Sequence, residues 1–293
     1  MPATASDAGF FDRAHGFELV DGRKIPRMGF GTFDLGDSTE TAVARALETG
    51  YRLIDCARFY GNEPDVGRAL AATDVPREEL FITSKVWNDR QIDGTVRESL
   101  EESLRDLRQE YLDLFLIHWP VRDRFLDTWE VLEQAREEGL VRSIGVSNFL
   151  PEHLQQILDL GGNVPVVDQM EYNPYLQDRA TRSFCAERGI RFEAWSPFGR
   201  GGCLADPAIV RVADAHAATP SQIILNWDFA NDVIPLPRST DPTHIAANLR
   251  RLEVSLTNDE SQALDALNRN QCTNEGVDPL HFNEILNALS SHF

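Results

Sequence analysis

Four residues at or just beyond the ends of apolar runs carry the chemistry that this sequence predicts: Asp55, Tyr60, Lys85 and His118. A tyrosine can offer a proton, but its ordinary pKa of about 10 makes it a poor acid near neutrality. An ammonium group about 4 Å away contributes up to roughly 4 kcal/mol at an effective dielectric constant near 20. That would lower the tyrosine pKa by roughly two or three units before the cost of desolvation is subtracted. Asp55 would keep Lys85 charged and aimed, and His118 would hydrogen-bond and orient a carbonyl oxygen.

Each of these residues also has an ordinary structural explanation when it is taken alone. Asp55 could cap a turn, Lys85 could extend its ammonium group to solvent, and His118 could be a satisfied core histidine. The scarcity of lysine makes Lys85 more informative, because Lys24 is the only other lysine in the sequence. The case for a site therefore depends on whether the fold brings the four residues together.

The elements that must position them alternate along the chain. Apolar runs at 28–33, 53–55, 80–85, 112–118, 141–147, 165–169, 190–195 and 232–236 predict strands. Helical patterns at 38–49, 63–72, 94–107, 123–138, 151–160, 177–188, 207–216, 220–230 and 242–250 follow them. This order predicts an α/β fold, a (β/α)8 TIM barrel. The alternative is an open doubly wound sheet, but no Gly-x-Gly-x-x-Gly follows the first strand.

Segments outside this repeat complete the predicted domain. Residues 17–26 alternate around Asp21-Gly22 and predict a β-hairpin that covers one end of the barrel. Extra helices are expected near the C-terminus, at 257–267 and near 281–290. Residues 1–293 are expected to form a single domain, with an N-terminal extension at 1–16 and a tail at 270–293.

Polar or aromatic residues close most of the predicted strands. Active sites of such barrels lie at the carboxyl ends of the strands. The residues found there are Asp55, Lys85, His118, Ser147, Asn148, Gln169, Trp195, Ser196, Arg238 and Ser239. Function is therefore expected at this rim. Neither a pair of carboxylates nor a metal-ligand cluster competes with it, so no metal is expected.

The segment from Gly50 to Glu63 resembles the signature of the aldo-keto reductases. That signature reads glycine, aromatic, arginine, any residue, aliphatic, aspartate, serine or threonine, alanine, two free positions, tyrosine, any residue, asparagine and glutamate. Only Cys56 departs from it. The resemblance covers about residues 17 to 270, and short loops after His118 and around 198–206 favour the prokaryotic 2,5-diketo-gluconate and methylglyoxal reductase-like branch. It implies that Asp55, Tyr60, Lys85 and His118 are the catalytic tetrad.

Proton donation to a carbonyl group requires a hydride from elsewhere, so a nicotinamide cofactor is expected. The resemblance implies that Ser147, Asn148 and Gln169 bind the carboxamide and that Trp195 stacks on the nicotinamide ring. Arg238 and His244 occupy positions of two family cations that bind the 2′-phosphate, which favours NADPH with NADH as the alternative. The full implied cofactor set is Gly31, Thr32, Phe33, Ser147, Asn148, Gln169, Trp195, Ser196, Pro197, Phe198, Gly199, Gly201, Arg238, Ser239, Thr240, His244 and Asn248.

An apolar mouth formed by Phe33, Trp87 and Trp119 is expected beside Tyr60, and it suits small aldehydes or ketones. The predicted activity is NAD(P)H-dependent reduction of such carbonyls, with Tyr60 as general acid. Three alternatives stay open: a non-catalytic cofactor-sensing subunit, a structural protein that only binds NADPH, and an isomerase or aldolase that uses Lys85 as a Schiff base.

The composition of the sequence argues against nucleic acid and membrane lipid as binding partners. A net charge of −19 would repel nucleic acid and anionic lipid. No apolar run approaches the ~18 residues of a membrane span, and the 4 cysteines are scattered without a Cys-x-x-Cys pair. These features predict a cytoplasmic protein, monomeric or weakly oligomeric. The excess of acids and the preference for arginine over lysine suggest adaptation to high salt, with codon bias as the alternative.

Overall fold

The computed structural model describes residues 12–250 and 255–273. Most of the predicted N-terminal extension therefore lies outside the described residues. The same holds for the tail beyond residue 273, which includes the helix predicted near 281–290.

Eight parallel strands form a nearly closed barrel, which confirms the predicted fold. Their order in the sheet follows their order in the chain, as a (β/α)8 barrel requires. The strands are β3 Gly29–Gly31, β4 Leu53–Asp55, β5 Phe81–Val86, β6 Leu112–Ile117, β7 Val141–Ser147, β8 Val167–Glu171, β9 Arg191–Trp195 and β10 Val233–Pro235. The seam between β3 and β10 is joined by a hydrogen bond of 3.0 Å from the Gly31 N–H to the carbonyl oxygen of Pro237.

Close approach of two backbones explains the glycine at this seam. A Cβ atom on Gly31 would lie 3.1 Å from the carbonyl oxygen of Leu236, closer than most carbon–oxygen contacts. A larger residue would push β3 away from the loop after β10 and weaken the Gly31–Pro237 hydrogen bond that joins them.

The predicted hairpin is present and covers the amino ends of the barrel strands. Strand β1 (Phe17–Glu18) pairs antiparallel with β2 (Lys24–Ile25). Its buried side chains form one apolar cluster with residues of the barrel strands, among them the first residues of β4, β5 and β8. The members of that cluster are Phe17, Leu19, Ile25, Leu53, Phe81, Leu114, Leu116, Val166, Val167, Ile234 and Leu236. The hairpin therefore closes the end opposite the polar rim.

Helices surround the barrel and bury their apolar faces against the outside of the strands. They span Thr39–Thr49, Glu63–Ala72, Asn88–Asp93, Val96–Asp106, Phe125–Glu137, Pro151–Asp159, Arg179–Glu187, Pro207–Ala215, Pro220–Ala230, Pro242–Asn248 and Asn258–Asp265. The predicted elements that fall on described residues are all found, with ends that differ by one or two residues. Asn258–Asp265 confirms an extra helix near the C-terminus, and a capping box between Thr257 and Glu260 fixes its start.

One helix was not predicted. Asn88–Asp93 forms directly after β5 and ends at Gly94, whose φ of 70° lies in the left-handed region that favours glycine. A six-residue helix is too short to show a hydrophobic period, so only Gly94 signals it in the sequence. Within the described ranges, no helix is both long and apolar enough to cross a bilayer.

Candidate active site

The side chains of Asp55, Lys85 and Tyr60 meet at the carboxyl ends of β4 and β5. Lys85 Nζ lies 2.8 Å from both carboxylate oxygens of Asp55 and 3.2 Å from the Tyr60 hydroxyl oxygen. The same ammonium group donates to the carbonyl oxygen of Cys56 at 2.8 Å. Lys85 is fully buried and Asp55 nearly so. The lysine is therefore a paired ammonium at the base of a site.

Local structure explains how Tyr60 reaches this ammonium group. The chain leaves β4 at Asp55 and makes one turn of 3-10 helix over Arg58–Tyr60, which ends at Gly61 with φ of 66°. Beyond it, the Asn62 side chain donates to the carbonyl oxygen of Thr32 at 2.8 Å and ties the loop to the end of β3. Tyr60 is thus carried on a short, anchored turn.

The electrostatics of Tyr60 differ from the expectation of a lowered pKa. Burial raises the pKa of Tyr60 to about 12, and the charge of Lys85 lowers it only partly while Asp55 raises it further. Desolvation of the phenolate therefore outweighs the ammonium. For Lys85, burial acts to lower the pKa, but the charge of Asp55 prevails and the pKa lies above its ordinary value. Near neutrality Tyr60 is a neutral phenol beside a full positive charge.

His118 lies beside Tyr60. The two ring centroids are 5.8 Å apart in an edge-on arrangement. Burial, helped by the charge of Lys85, holds the pKa of His118 well below 6.5, so the ring is neutral. Its Nδ1 is buried and has no hydrogen-bond partner among the described residues. A neutral imidazole carries one N–H donor and one acceptor, so it can still donate to an oxygen in the site.

Aromatic rings form one wall of the mouth. The rings of Phe33 and Tyr60 are 5.1 Å apart, and those of Trp87 and His118 are 4.9 Å apart. Phe59 was not predicted, yet it stacks on Trp87 at 3.8 Å and is 51% exposed. Its signal was a large aromatic residue directly before Tyr60 in a loop. The remaining predicted wall residue, Trp119, is buried, and its carbonyl oxygen accepts a hydrogen bond from Gln91.

A cavity of about 370 Å³ opens beside Tyr60. Three of its lining residues are acids, namely Asp34, Asp37 and Asp65. Its other lining residues are Leu35, Gly36, Tyr60, Gly61 and Asn62. Two of these acids are paired with arginines, Asp34 with Arg238 and Asp65 with Arg68.

The residues expected at the nicotinamide form a connected polar network. Asn148 donates from Nδ2 to the carbonyl oxygen of His118 at 3.0 Å, and its Oδ1 accepts from the Trp195 indole N–H at 3.0 Å. The Ser147 hydroxyl donates to the carbonyl oxygen of Gln169 at 2.7 Å. The structure thus brings the predicted amide residues together and ties Asn148 to the backbone of His118.

Glu193 belongs to this network and was not predicted. The Gln169 amide nitrogen lies 2.9 Å from Asp55 Oδ1 and 3.0 Å from Glu193 Oε2. Glu193 sits between apolar neighbours in β9 and is fully buried. The signal was an acid inside a barrel strand, where both faces are covered and no position faces solvent.

The glycine-rich segment after β9 has the backbone freedom that was expected. Gly199 and Gly201 have φ values of 55° and 90°, and the 3-10 turn Gly199–Gly201 follows Pro197-Phe198. Space is open around the position where a Cβ on Gly201 would lie. Ser196 also has a positive φ, 51°, which is unusual for a residue other than glycine. The segment can approach a phosphate by its backbone.

The residues expected at the adenosine end differ in their exposure and in their hydrogen-bond partners. Arg238 is 43% exposed at its side chain and pairs with Asp34 on the loop after β3. His244 and Thr240 are exposed, and the backbone N–H of His244 donates to the Asp241 carboxylate at 3.3 Å. The Ser239 hydroxyl accepts from the Asp241 N–H at 3.0 Å, and Asn248 is buried. Thr32, also in the expected set, donates its hydroxyl to the carbonyl oxygen of Asp55 at 2.9 Å.

No group of three or more histidine, cysteine, aspartate or glutamate side chains suited to a metal ion occurs in the described part of the chain. The cysteine thiols described there form no disulfide.

Many known proteins are similar in sequence to this chain. The model of the Aldo/keto reductase family matches residues 27–269. The glyoxal reductase of Bacillus subtilis is 38% identical over 267 residues, which is 90% of this chain and 97% of that protein. The methylglyoxal reductase DkgA of Salmonella typhimurium is 40% identical, over 90% of this chain and 96% of that protein.

Solved structures agree with these matches. The crystal structure of an aspartate-to-alanine mutant of Gox0644 in complex with NADPH has a TM-score of 0.85 and 39% identity, covering 90% of this chain and 97% of that one. An aldo-keto reductase of Bombyx mori in complex with NADP has a TM-score of 0.83 and 34% identity, covering 89% of this chain and 94% of that one. Barrel, signature segment and matched relatives lead to one conclusion: the chain belongs to the aldo/keto reductase family.

Proposed function

We propose that this protein reduces small aldehydes and ketones to alcohols with NADPH, and that Tyr60 is the general acid. The observation that carries the proposal is the Lys85 ammonium, which is held by both Asp55 oxygens at 2.8 Å and lies 3.2 Å from the Tyr60 hydroxyl. A buried cation at this distance stabilises the phenolate that forms when Tyr60 gives up its proton.

The residues at the rim fit a nicotinamide dinucleotide. Trp195 presents a partly exposed indole whose N–H is fixed by Asn148, and Gln169 lies on the neighbouring strand β8. The loop at Gly199–Gly201 can approach a pyrophosphate, and Arg238 supplies a permanent cation for a 2′-phosphate. When bound, NADPH supplies the hydride that reduces the carbonyl carbon.

The protein's own task is to deliver a proton to the carbonyl oxygen. As that oxygen gains negative charge, the Tyr60 O–H bond breaks and a new O–H bond forms on the substrate. An alkoxide is more basic than a phenolate, so the transfer is favourable even from a phenol whose pKa is about 12. The overall reaction consumes one carbonyl compound, one NADPH and one proton, and it gives one alcohol and one NADP⁺.

His118 is placed to orient the carbonyl group rather than to supply the proton. It is neutral at physiological pH, because its pKa lies well below 6.5. Its ring faces Tyr60 edge-on, and a neutral imidazole N–H can share the carbonyl oxygen with the phenol. Lys85 is an unsuitable Schiff-base nucleophile, since it is charged and engaged with Asp55, Cys56 and Tyr60.

The mouth favours small neutral carbonyl compounds. Phe33, Phe59 and Trp87 offer an apolar wall near Tyr60 and His118, and such a wall suits uncharged substrates. Relatives at about 40% identity are named as reductases of glyoxal and methylglyoxal, which are small and uncharged. We extend that substrate class to this protein.

Oxidation of NADPH at 340 nm, measured with glyoxal, methylglyoxal, an aromatic aldehyde and an anionic keto acid, tests the proposal. Tyr60→Phe should lower kcat at least a hundredfold, which is the usual scale of a lost general acid, and NADPH should still bind. Tyr175→Phe is the matched control, because that hydroxyl bonds to Asp206 at 2.8 Å away from Lys85. Unchanged turnover in Tyr60→Phe would refute the proposal, as would NADPH binding without carbonyl-dependent oxidation in the wild type.

A further inference from the structure

A buried carboxyl group beside the tetrad has no role in the reaction as described so far. Glu193 is fully buried in β9 and pairs in register with Gln169 of β8. Its Oε2 accepts from the Gln169 amide at 3.0 Å, and its Oε1 has no hydrogen-bond partner among the described residues. An ionised carboxylate with an unpartnered oxygen is costly at such a site, so the arrangement favours the neutral acid.

The Asp55 carboxylate fixes the orientation of the Gln169 amide, and Glu193 accepts from the same amide nitrogen. One nitrogen, Gln169 Nε2, lies within 3.0 Å of both the Asp55 and the Glu193 oxygens. Turning the amide over would place its carbonyl oxygen against the Asp55 carboxylate, which accepts only. The amide N–H groups are thus committed, and Gln169 Oε1 makes no hydrogen bond among the described side chains and backbone. That oxygen is available as an acceptor.

We propose that Glu193 is a positioning residue: through the Gln169 amide it keeps Gln169 Oε1 ready to accept from the nicotinamide carboxamide, and it braces Asp55 against Lys85. The inference rests on the proposed function, because it assumes that the nicotinamide lies beside Gln169. Glu193 does not touch the cofactor in this arrangement. It acts through Gln169 on one side and through Asp55 on the other.

The charge of Glu193 has a second effect on this end of the site. The charged groups that face Glu193 are Asp55 from β4 and Lys85 from β5. From β8 it meets the neutral Gln169 amide, and the neighbouring strand β10 is the apolar segment Val233–Pro235. Burial and the Asp55 charge raise the pKa of Glu193 to about 8. Above that pH a second negative charge appears near the nicotinamide end, and it favours the cationic ring of NADP⁺ over the neutral ring of NADPH.

The test compares Glu193→Leu and Glu193→Gln by quenching of tryptophan fluorescence, with NADPH, NADP⁺ and adenosine 2′,5′-bisphosphate as ligands. Glu193→Leu removes the acceptor, so NADPH should bind about two- to tenfold more weakly, the scale of one lost hydrogen bond. The bisphosphate lacks the nicotinamide and should bind as it does to wild type. Equal weakening of both ligands, or no change in either, would overturn the proposal.

Glu193→Gln keeps an acceptor but cannot ionise. It should bind NADPH like the wild type at pH 6.5. Between pH 7 and pH 9 the wild-type preference for NADP⁺ should rise several-fold, and in Glu193→Gln it should stay flat. Identical pH profiles in the two proteins contradict the inference, even where Glu193→Leu fails to fold.

Glu171→Gln is the matched control. It removes another buried carboxyl group at the end of β8, one that contacts Thr273 and Asn173 instead of Gln169. Glu171→Gln should not change the affinity for NADPH relative to the affinity for the bisphosphate. Failure of the proposed function would look different: wild type would not bind NADPH, or Tyr60→Phe would turn over normally. If wild type binds NADPH, Tyr60→Phe loses activity and the Glu193 variants bind their ligands like the wild type, the proposed function stands and only this inference is refuted.

Discussion

Arg238 and Asp34 join the two loops that flank the barrel seam. The Arg238 guanidinium group donates to the Asp34 carbonyl oxygen at 2.7 Å and to its carboxylate at 3.2 Å. These residues are 204 positions apart in the chain. The cation proposed to bind a 2′-phosphate therefore already has a negatively charged neighbour, and a phosphate placed there would be repelled by Asp34.

Asp34→Asn should strengthen binding of NADPH and leave binding of NADH unchanged. An exposed ion pair is worth about 0.2–1 kcal/mol, so the expected gain is about 1.5- to fivefold in Kd. In about 1 M KCl the gain should largely vanish, because the Debye length falls to roughly 3 Å. Asp37→Asn, which removes a charge from the same cavity, is the control. A gain of the same size for NADH would contradict the explanation.

Lys85→Met should abolish most of the activity while the binding of NADPH persists. Without the ammonium group, burial and the Asp55 charge both raise the pKa of Tyr60 unopposed, and the developing phenolate loses its stabilisation. We expect kcat to fall at least a hundredfold, with NADPH affinity within a few-fold of wild type. Lys24→Met provides the comparison, because Lys24 is the other lysine and donates to the carbonyl oxygen of Ala14 on the hairpin side. Activity loss in both variants would point to destabilisation.

Asp55→Asn should reduce stability as well as activity. It leaves the Lys85 ammonium buried without its counter-charge, and breaking one partner of a buried pair costs about 3–5 kcal/mol. Urea denaturation followed by circular dichroism measures this loss, and the NADPH assay measures the activity. A variant as stable as the wild type would mean that Lys85 has lost its proton or found another anion.

Phe59→Ala should raise KM for aromatic aldehydes more than for glyoxal. Phe59 stacks on Trp87 at 3.8 Å and is half exposed, so it presents a flat apolar surface to the mouth. A ring contact is worth about 0.5–1.5 kcal/mol, which corresponds to about two- to twelvefold in KM. Val20→Ala, an exposed apolar residue on the opposite end of the barrel, should change neither. A uniform fall in kcat for all substrates would argue against a wall role.

Ionisation of Glu193 should lower the stability of the wild type relative to Glu193→Gln as pH rises. Its pKa is raised from 4.5 to about 8 in the folded protein, so between these values the folded state holds a proton that the unfolded state has released. Its contribution to stability is complete below pH 4.5 and is lost as pH rises through about 8. The unfolding free energy of wild type relative to Glu193→Gln should therefore fall by on the order of 4 kcal/mol between pH 4.5 and pH 8.5. Parallel curves in urea titrations would contradict the assignment.

The barrel and the meeting of Asp55 with Tyr60 were predictable because their signals are local. Each buried strand is a continuous apolar run, and the segment around Asp55 and Tyr60 places an acid and a phenol at a fixed separation. The direction of the Tyr60 pKa was not predictable in this way. It depends on how much water the folded mouth excludes, and that is set by residues far away in sequence.

Glu193 and the Asp34–Arg238 pair were missed for two different reasons. The acid in Phe192-Glu193-Ala194 signals a buried carboxyl group only when the strand is known to belong to a closed barrel, because in an open sheet the same pattern fits a solvent-facing position. Asp34 lies in a loop with φ of 55°, and its partner comes from the far end of the chain. No local pattern encodes either contact.

The short seam between the loops after β3 and β10 has a practical consequence. The strands that meet there contribute three residues each, and the Gly31–Pro237 hydrogen bond and the Arg238–Asp34 pair bridge the gap. A dinucleotide that contacts both loops would link the first β/α repeat of the barrel to the last one. The rise in melting temperature on binding NADPH would then reflect the linking of the two loops as well as the affinity of the ligand. A ranking of ligands by melting temperature would therefore overestimate the affinity of compounds that contact both loops.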